Sequence, residues 1–254
     1  MKIHSLLNTF AISVYLICAC SHISPNLQDK YLSNEDELAR DYQNAVIDSI
    51  IPDKSKIYPE LVEINGPESS TDQEWITFNG RNMILVTTLV KDEYIRYWME
   101  EEPFEVKVDC WVSVPSEWSR FKQEFEPLDD KADKVRMLQL LGMPLNDSYN
   151  VLIEFYADAE KIFRPSKDSE AYDSVASLNY PEGTSEDYKQ WFENHKKKSY
   201  ECSPALPFTQ LGYSYDWNRY SAKHIGLSEF VVPKGTLVKV KSRKNYQDFI
   251  KEIR

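Results

Sequence analysis

The order of apolar and polar residues along this chain changes from helical spacing to strand spacing and back again. Over 35–51, Leu38, Tyr42 and Ala45 recur at helical intervals, with acidic residues at the start of the stretch and Pro52 after its end. Acids at the positive end of a helix dipole and a proline beyond the last turn are ordinary helix boundaries. The stretch is predicted to be an amphipathic helix.

Strand character begins at Trp75. The pair Asn79-Gly80 is a turn signal, and the residues 83–90 after it are apolar except for two threonines. Residues 104–114 alternate in part between apolar and polar. The pattern predicts that these segments are neighbouring antiparallel strands.

The second half of the chain mixes helices and strands in the same way. The predicted elements are a helix over 134–141 ended by Gly142, a strand over 152–156, a helix opened by Ser185, a hairpin of 228–232 with 236–240, and a helix over 246–253. Strands and helices do not alternate regularly, as a doubly wound parallel sheet would require. The predicted fold class is therefore α+β, a mostly antiparallel sheet with flanking helices, in a single domain over 35–254.

The N-terminal residues have the pattern of an export signal. Lys2 precedes an apolar run over 6–17, which Asn8, Thr9 and Ser13 interrupt. The run is shorter than the ~20 consecutive apolar residues that span a bilayer, and a polar segment follows it. We expect 1–19 to be a signal peptide.

The end of this leader indicates a lipid anchor. Ile17-Cys18-Ala19-Cys20 resembles the lipobox of bacterial lipoproteins, in which small residues precede a cysteine that is acylated and becomes the new N-terminus. Cys20 is therefore the predicted lipidation site, and 20–34 is the predicted tether. This places the protein on a membrane of the bacterial cell envelope, outside the cytoplasm. Ordinary secretion and a retained N-terminal anchor helix are the alternatives.

The charge balance argues against a nucleic-acid partner. The chain has 30 basic and 41 acidic residues, a net charge of −11, and the leader removes one lysine and no acid. An acidic surface repels phosphates, so no nucleic acid is expected to bind. The expected partners are the membrane, through the lipid anchor, and a protein or small molecule.

Cysteines and histidines are too scattered to indicate a metal site. Beyond Cys20, the cysteines are Cys110 and Cys202, which form no C-x-x-C pair. An exported protein can hold a disulfide between them, and the sequence leaves that pairing open. His195 lies on the apolar side of the helix opened by Ser185, where it is predicted to pack. Neither a metal nor a cofactor is predicted.

Four stretches between 75 and 240 carry a resemblance to a group of exported bacterial proteins, many of them predicted lipoproteins. They read CWVSVP at 110–115, RMLQLLGMP at 136–144, IFRPS at 162–166, and LGYSYDW at 211–217 leading to GLSEFVV at 226–232. The group has no assigned activity. The resemblance therefore implies export and a shared fold, and it implies no reaction.

The densest mixture of aromatic and polar side chains indicates a ligand-binding surface. It contains Tyr213, Tyr215, Asp216, Asn218 and Arg219. Aromatic rings beside an acid, an amide and a cation suit a pocket that stacks a planar or sugar-like ligand. The leading hypothesis is a non-catalytic envelope protein that binds a partner or small ligand here. The alternative for these residues is that the rings alternate along a strand and pack in the core.

An enzyme is the second functional hypothesis. Its candidate catalytic residues are Glu229, as a carboxylate that stabilises an oxocarbenium-like centre, Arg164, as an anion clamp, and Asp216. The arrangement resembles that of ADP-ribosyltransferase-type toxins and NAD glycohydrolases, which implies a reaction at a nucleotide or glycosidic bond. It requires the three side chains to converge in one cleft. A structural pairing of Glu229 with Arg164 or Arg219 is the alternative.

Overall fold

The computed structural model describes residues 34–69, 72–99, 102–125 and 129–254. The expected signal peptide, the expected lipidation site Cys20 and the tether up to residue 33 lie outside the described residues. None of the helices that are described combines the length and apolarity needed to cross a bilayer.

The described residues form three antiparallel sheets. Their strands are β1 (Trp75–Phe78), β2 (Arg81–Lys91), β3 (Phe104–Glu105), β4 (Cys110–Val112), β5 (Tyr149–Asp158), β6 (Tyr213–Tyr215), β7 (Ile225–Ser228), β8 (Phe230–Val232) and β9 (Leu237–Asn245). The largest sheet has the order β1-β2-β5-β9-β3, while β4 pairs with β8 and β6 pairs with β7. The predicted α+β class, with a mostly antiparallel sheet in one domain, is confirmed.

Helices lie beside these sheets. The α-helices of the described ranges are α1 (Glu35–Ser49), α2 (Lys122–Phe125), α3 (Asp130–Leu140), α4 (Glu186–Glu201) and α5 (Tyr246–Ile253). Short 3-10 turns cover Lys54–Lys56, Asp92–Trp98, Pro115–Phe121 and Ala159–Lys161. Asn34 caps α1 and Ser185 caps α4, each by accepting a hydrogen bond from a backbone N–H in the first turn.

Strand β2 is covered on both faces, which explains its nearly unbroken apolar run. Ile84 and Val86 face a core that includes residues of β4 and β8. Leu85 and Leu89 face the opposite side, where α3 and α5 supply part of the cover. Because successive strand residues point to opposite faces, a strand buried on both sides shows little alternation.

Helix α3 is packed on several sides. Met137 and Leu140 join the cluster against the sheet and α5, while Val135 and Leu138 pack with α1. The helix begins earlier than the predicted residue 134, because the side chain of Asp129 accepts a hydrogen bond from the N–H of Ala132 and caps it.

One predicted strand pairing is confirmed only in part, and a second is wrong. The predicted neighbours 83–90 and 104–114 meet at an antiparallel bridge between Thr87 and Ser113. Within 104–114, however, β3 pairs with β9 and β4 pairs with β8, so these two strands belong to different sheets. The predicted hairpin of 228–232 with 236–240 does not form, because β8 pairs with β4 and β9 pairs with β5. The turn at 233–235 carries the chain from one sheet to another. A turn signal between two apolar runs therefore does not establish that the runs pair with each other.

Candidate functional site

A cavity of about 470 Å³ lies where β2 and β4 meet the loops that follow α3 and α4. Small-molecule sites in proteins commonly have volumes of roughly 300–1,000 Å³. The walls are mainly apolar and include Trp111, Trp118, Leu152, Phe208 and Leu227. The cavity therefore has the size and the apolar lining of a small-ligand site.

Three polar side chains, Thr87, Ser113 and Glu229, form a row on one wall of this cavity. Thr87 and Ser113 are joined by a β-bridge, with backbone N–H to carbonyl distances of 2.9 and 3.0 Å. Val112 pairs with Phe230, and continuing this register by one residue places Ser113 opposite Glu229. Directly opposite residues of antiparallel strands point to the same face. We call these three residues the polar row.

Glu229 stands at the point where the chain leaves β7 and enters β8. Its N–H donates to the carbonyl oxygen of Gly212 at 2.9 Å, which holds the backbone in place. Its carboxyl group forms no hydrogen bond or ion pair with the described residues, and it keeps partial contact with solvent through the cavity. Burial raises the pKa of the Glu229 carboxyl from 4.5 to about 8. The group therefore retains its proton at neutral pH.

The two hydroxyl groups of the polar row have unused hydrogen-bonding capacity. Thr87 is 2% exposed, and its Oγ1 has no hydrogen-bond partner among the described residues. Ser113 Oγ accepts a hydrogen bond from Trp118 Nε1 at 3.1 Å, which leaves the serine's own hydrogen to donate. An unsatisfied buried hydroxyl costs roughly 1–3 kcal/mol. Thr87 Oγ1 itself has essentially no accessible surface, so a ligand in the cavity recovers this free energy only when the threonine side chain rotates and turns its hydroxyl toward the space.

His195 lies on another wall of the cavity and belongs to an aromatic stack. Its ring centroid is 4.6 Å from that of Trp111 and 5.4 Å from that of Trp191, as expected for a packed histidine. Its Nε2 is 3.1 Å from Ser199 Oγ. Burial lowers the pKa of His195 to about 4, so the ring is neutral at physiological pH.

Both described cysteines are free thiols. Cys110 is buried, and burial raises the pKa of its thiol to about 12. Cys202 is exposed and contributes to the cavity wall. The disulfide that the sequence left open does not form between these two residues.

Asp216 and Asn218, which the sequence offered as ligand-binding residues, are used inside the fold. Arg136 donates from Nη1 and Nη2 to the two carboxylate oxygens of Asp216 at 2.6 and 2.8 Å, and both side chains are almost fully buried. Asn218 Nδ2 donates to Gln139 Oε1 at 2.8 Å. These contacts fasten the segment after β6 to α3.

The other members of that predicted surface also contact the protein itself. The hydroxyl of Tyr213 donates to the carbonyl oxygen of Lys56, and that of Tyr215 donates to Asp48 Oδ2. Arg219 forms ion pairs with α1, including one of 2.7 Å to Asp41. Of the five candidate ligand-binding residues, the cavity includes only Tyr215 in its wall, among the residues described.

Arg164 is fully buried, and its hydrogen bonds connect it to the loop around Asp173 and to Val62. Its Nη1 donates to Asp173 Oδ1 at 2.7 Å, and its Nη2 donates to the carbonyl oxygens of Val62 and Asp173. Of the three candidate catalytic residues, only Glu229 lines the cavity. The structure does not bring Arg164 and Asp216 to it, and Glu229 pairs with neither Arg164 nor Arg219.

An acidic cluster beside Arg164 belongs to the same anchored loop. Asp168, Glu170 and Asp173 each place one carboxylate oxygen within 4.8 Å of the others. The ion pair between Arg164 and Asp173 already balances part of this charge. The cluster is accounted for by the packing of Arg164.

Sequence reasoning identified Glu229 but missed its two neighbours. Thr87 interrupts the apolar run of β2, and Ser113, directly after β4, stands between Val112 and Val114. A polar residue between buried apolar residues is a usable signal, but the predicted proximity of 83–90 and 104–114 did not indicate that these two residues lie opposite each other.

No protein-family model matches this chain, and neither does any curated protein or any solved structure.

Proposed function

We propose that this protein is a lipid-anchored protein of the bacterial cell envelope that binds a small, largely apolar molecule in the cavity beside the polar row. The observation that carries the binding proposal is the polar row itself. Apolar walls favour transfer of a ligand from water at roughly 25 cal/mol per Å² of apolar surface buried. A few polar groups at one place then fix its orientation.

The residues that line the cavity favour a ligand-binding site over a packing gap in the hydrophobic core. A buried core is close-packed and leaves few gaps larger than a water molecule. Here an unpaired carboxyl and an unpaired hydroxyl border a volume of about 470 Å³. Polar groups buried in that way are usually hydrogen-bonded, so their free capacity favours an external partner.

Binding is tested by thermal unfolding of the full chain against a panel of sugars, nucleosides, amino acids and small aromatic amines and acids. A ligand present at about 100 times its Kd stabilises the folded state by about 2.7 kcal/mol, which is a shift of a few degrees for a protein of this size. A panel that leaves the unfolding temperature unchanged throughout would count against the small-ligand role.

Two buried threonines supply a matched pair of variants for any ligand found. Thr87→Val removes the unpaired hydroxyl and should leave stability unchanged or slightly higher, while ligand affinity falls. Thr209→Val removes a hydroxyl that donates to the carbonyl oxygen of Tyr213 at 2.6 Å, so it should lower the free energy of unfolding by about 1–3 kcal/mol with affinity retained. Equal affinities for Thr87→Val and the wild type would remove the hydroxyl from the site.

The envelope location is tested separately at the N-terminus. Mass spectrometry of the mature protein is expected to find an acylated Cys20 as the first residue. More than one acyl chain is needed for stable anchoring, because each buried methylene contributes only about 0.8 kcal/mol. An unmodified thiol at this position, or a mature chain that begins elsewhere, would overturn the anchor.

A further inference from the structure

The cavity is lined by a single acidic side chain among the described residues. That side chain is Glu229, although the chain as a whole carries 41 acids. No lysine or arginine of the described residues forms an ion pair with it. Lys91 also lines the cavity, but its Nζ lies over the ring of Tyr149, 5.5 Å from the centroid, and does not pair with Glu229. The carboxyl group therefore faces the space without a paired cation.

The surroundings of Glu229 suit a cation. Trp111, Trp118, Phe208 and Tyr215 all contribute to the wall, and aromatic faces attract organic cations. The hydroxyl oxygens of Thr87 and Ser113 lie in the same row as the carboxyl and can accept hydrogen bonds. An acid, two hydroxyls and aromatic rings form the usual surroundings of a bound ammonium group.

We propose that the ligand carries one positive charge, an organic ammonium group on an apolar body, with the ammonium beside Glu229 and the apolar part against the aromatic and leucine walls. This inference rests on the proposed function, since it assigns a ligand class to the same cavity.

Proton release is a direct consequence. Without a cation the Glu229 carboxyl retains its proton up to about pH 8, because burial raises its pKa. A cation favours the ionised form, so binding below that pH expels one proton. The affinity for a permanent cation should then rise about tenfold for each pH increase of one, and level off near pH 8.

Other titratable groups face the cavity and have to be separated from Glu229. They are Lys91 on β2, Tyr149 on β5, His195 on α4, Cys202 after α4 and Tyr215 on β6. Burial keeps His195 neutral above about pH 4 and raises the pKa of both tyrosines, so these three do not titrate between about pH 6 and pH 8. The variant Cys202→Ser removes the thiol from consideration.

The test uses two probes of the same shape, benzyltrimethylammonium and its neutral carbon analogue neopentylbenzene. Their affinities for the full chain are measured by calorimetry at several pH values between about pH 6 and pH 8.5, in buffers of different ionisation enthalpy so that released protons are counted. We expect the cation to bind with release of about one proton near pH 6.5 and to gain roughly tenfold in affinity per pH increase of one. The neutral probe should show no dependence on pH.

Two variants test whether Glu229 causes the pH dependence of cation binding. Glu229→Gln should remove the pH dependence and weaken cation binding at pH 8, while the neutral probe binds as before. Cys202→Ser should retain the pH dependence. If the neutral probe binds more tightly than the cation at every pH, or if cation binding does not depend on pH, the ammonium assignment is wrong and the cavity remains a ligand site. If neither probe nor any member of the wider panel binds, the proposed function itself fails.

Discussion

Replacement of Glu229 by glutamine changes the charge of one buried group and little else. The glutamine side chain has the same shape, remains neutral at every pH and can still form hydrogen bonds in the cavity. In the wild type, burial raises the pKa of this carboxyl from 4.5 to about 8. The folded protein therefore holds a proton that the unfolded chain loses between these two values.

The sign of the effect follows from that difference. Because the folded state binds the additional proton, the free energy of unfolding falls as the pH rises from about 4.5 to about 8, and it is fully reduced above that range. A pKa difference of one corresponds to about 1.4 kcal/mol, so the full range corresponds to roughly 5 kcal/mol, of which about 4 kcal/mol falls between pH 5 and pH 9. The carboxyl keeps contact with water through the cavity, so we expect roughly half of this value.

The measurement is urea denaturation of the wild type and Glu229→Gln at about pH 5, 7 and 9. The stability of the variant relative to the wild type should increase by about 2 kcal/mol from the lowest to the highest pH. Other ionisable groups contribute equally to both proteins and cancel in the difference. Glu182→Gln, in the exposed loop before α4, is the matched control and should show a constant difference. A constant difference for Glu229→Gln as well would refute the raised pKa.

Two further substitutions test the structural assignments. Asp216→Asn removes the buried carboxylate that pairs with both terminal nitrogens of Arg136, while the ion pair of Arg136 Nε with Glu124 at 2.7 Å is retained. Urea denaturation should therefore show a loss of about 3 kcal/mol, the low end for breaking a buried ion pair, and a loss below about 1 kcal/mol would contradict a structural role. Gly212→Ala places a Cβ 2.3 Å from Arg164 Cδ at a φ of +73°, whereas Gly183→Ala meets open space at a φ of +85°. Both alanines are strained by roughly 1 kcal/mol, and the first should lose clearly more stability. Equal losses in thermal or urea unfolding would mean that the arginine moves aside without cost.

Local features of the fold could be predicted from the sequence because their causes are local. The caps at Asn34 and Ser185 mark the helix starts, and the hairpin of β1 and β2 turns at Asn79-Gly80 as its sequence indicates. The pairing of β3, β4, β8 and β9 could not be predicted, because it joins segments more than a hundred residues apart. Alternation of apolar residues identifies a strand and does not identify its partner.

The candidate site was likewise only partly predictable, because the partners of its residues are distant in the sequence. Glu229 could be identified, because a carboxyl group inside an apolar run has to be explained by a partner or a function. The candidates Asp216 and Arg164 carried a similar signal, and both are explained by partners, one of them 80 residues away in sequence. Only the tertiary structure separates a buried acid that has a partner from one that has none.

Two unfavourable features of this fold lie on one wall of the cavity, while the other unpartnered buried atoms of the described residues, Gln73 Oε1, Trp75 Nε1 and Arg164 Nε, lie elsewhere. An unpaired hydroxyl at Thr87 and an unpaired carboxyl at Glu229 both reduce stability, and they lie in one row beside the same space. A close-packed core gains nothing from such groups, since apolar residues there would be more stable. A ligand that bonds to both and covers the apolar walls returns free energy at all of these points together, in the range of a few kcal/mol for moderate affinity. A binding site is expected to contain groups that destabilise the empty protein and are satisfied when one ligand binds. The polar row has this property. Tyr213, Tyr215, Asp216, Asn218 and Arg219 already have partners within the protein.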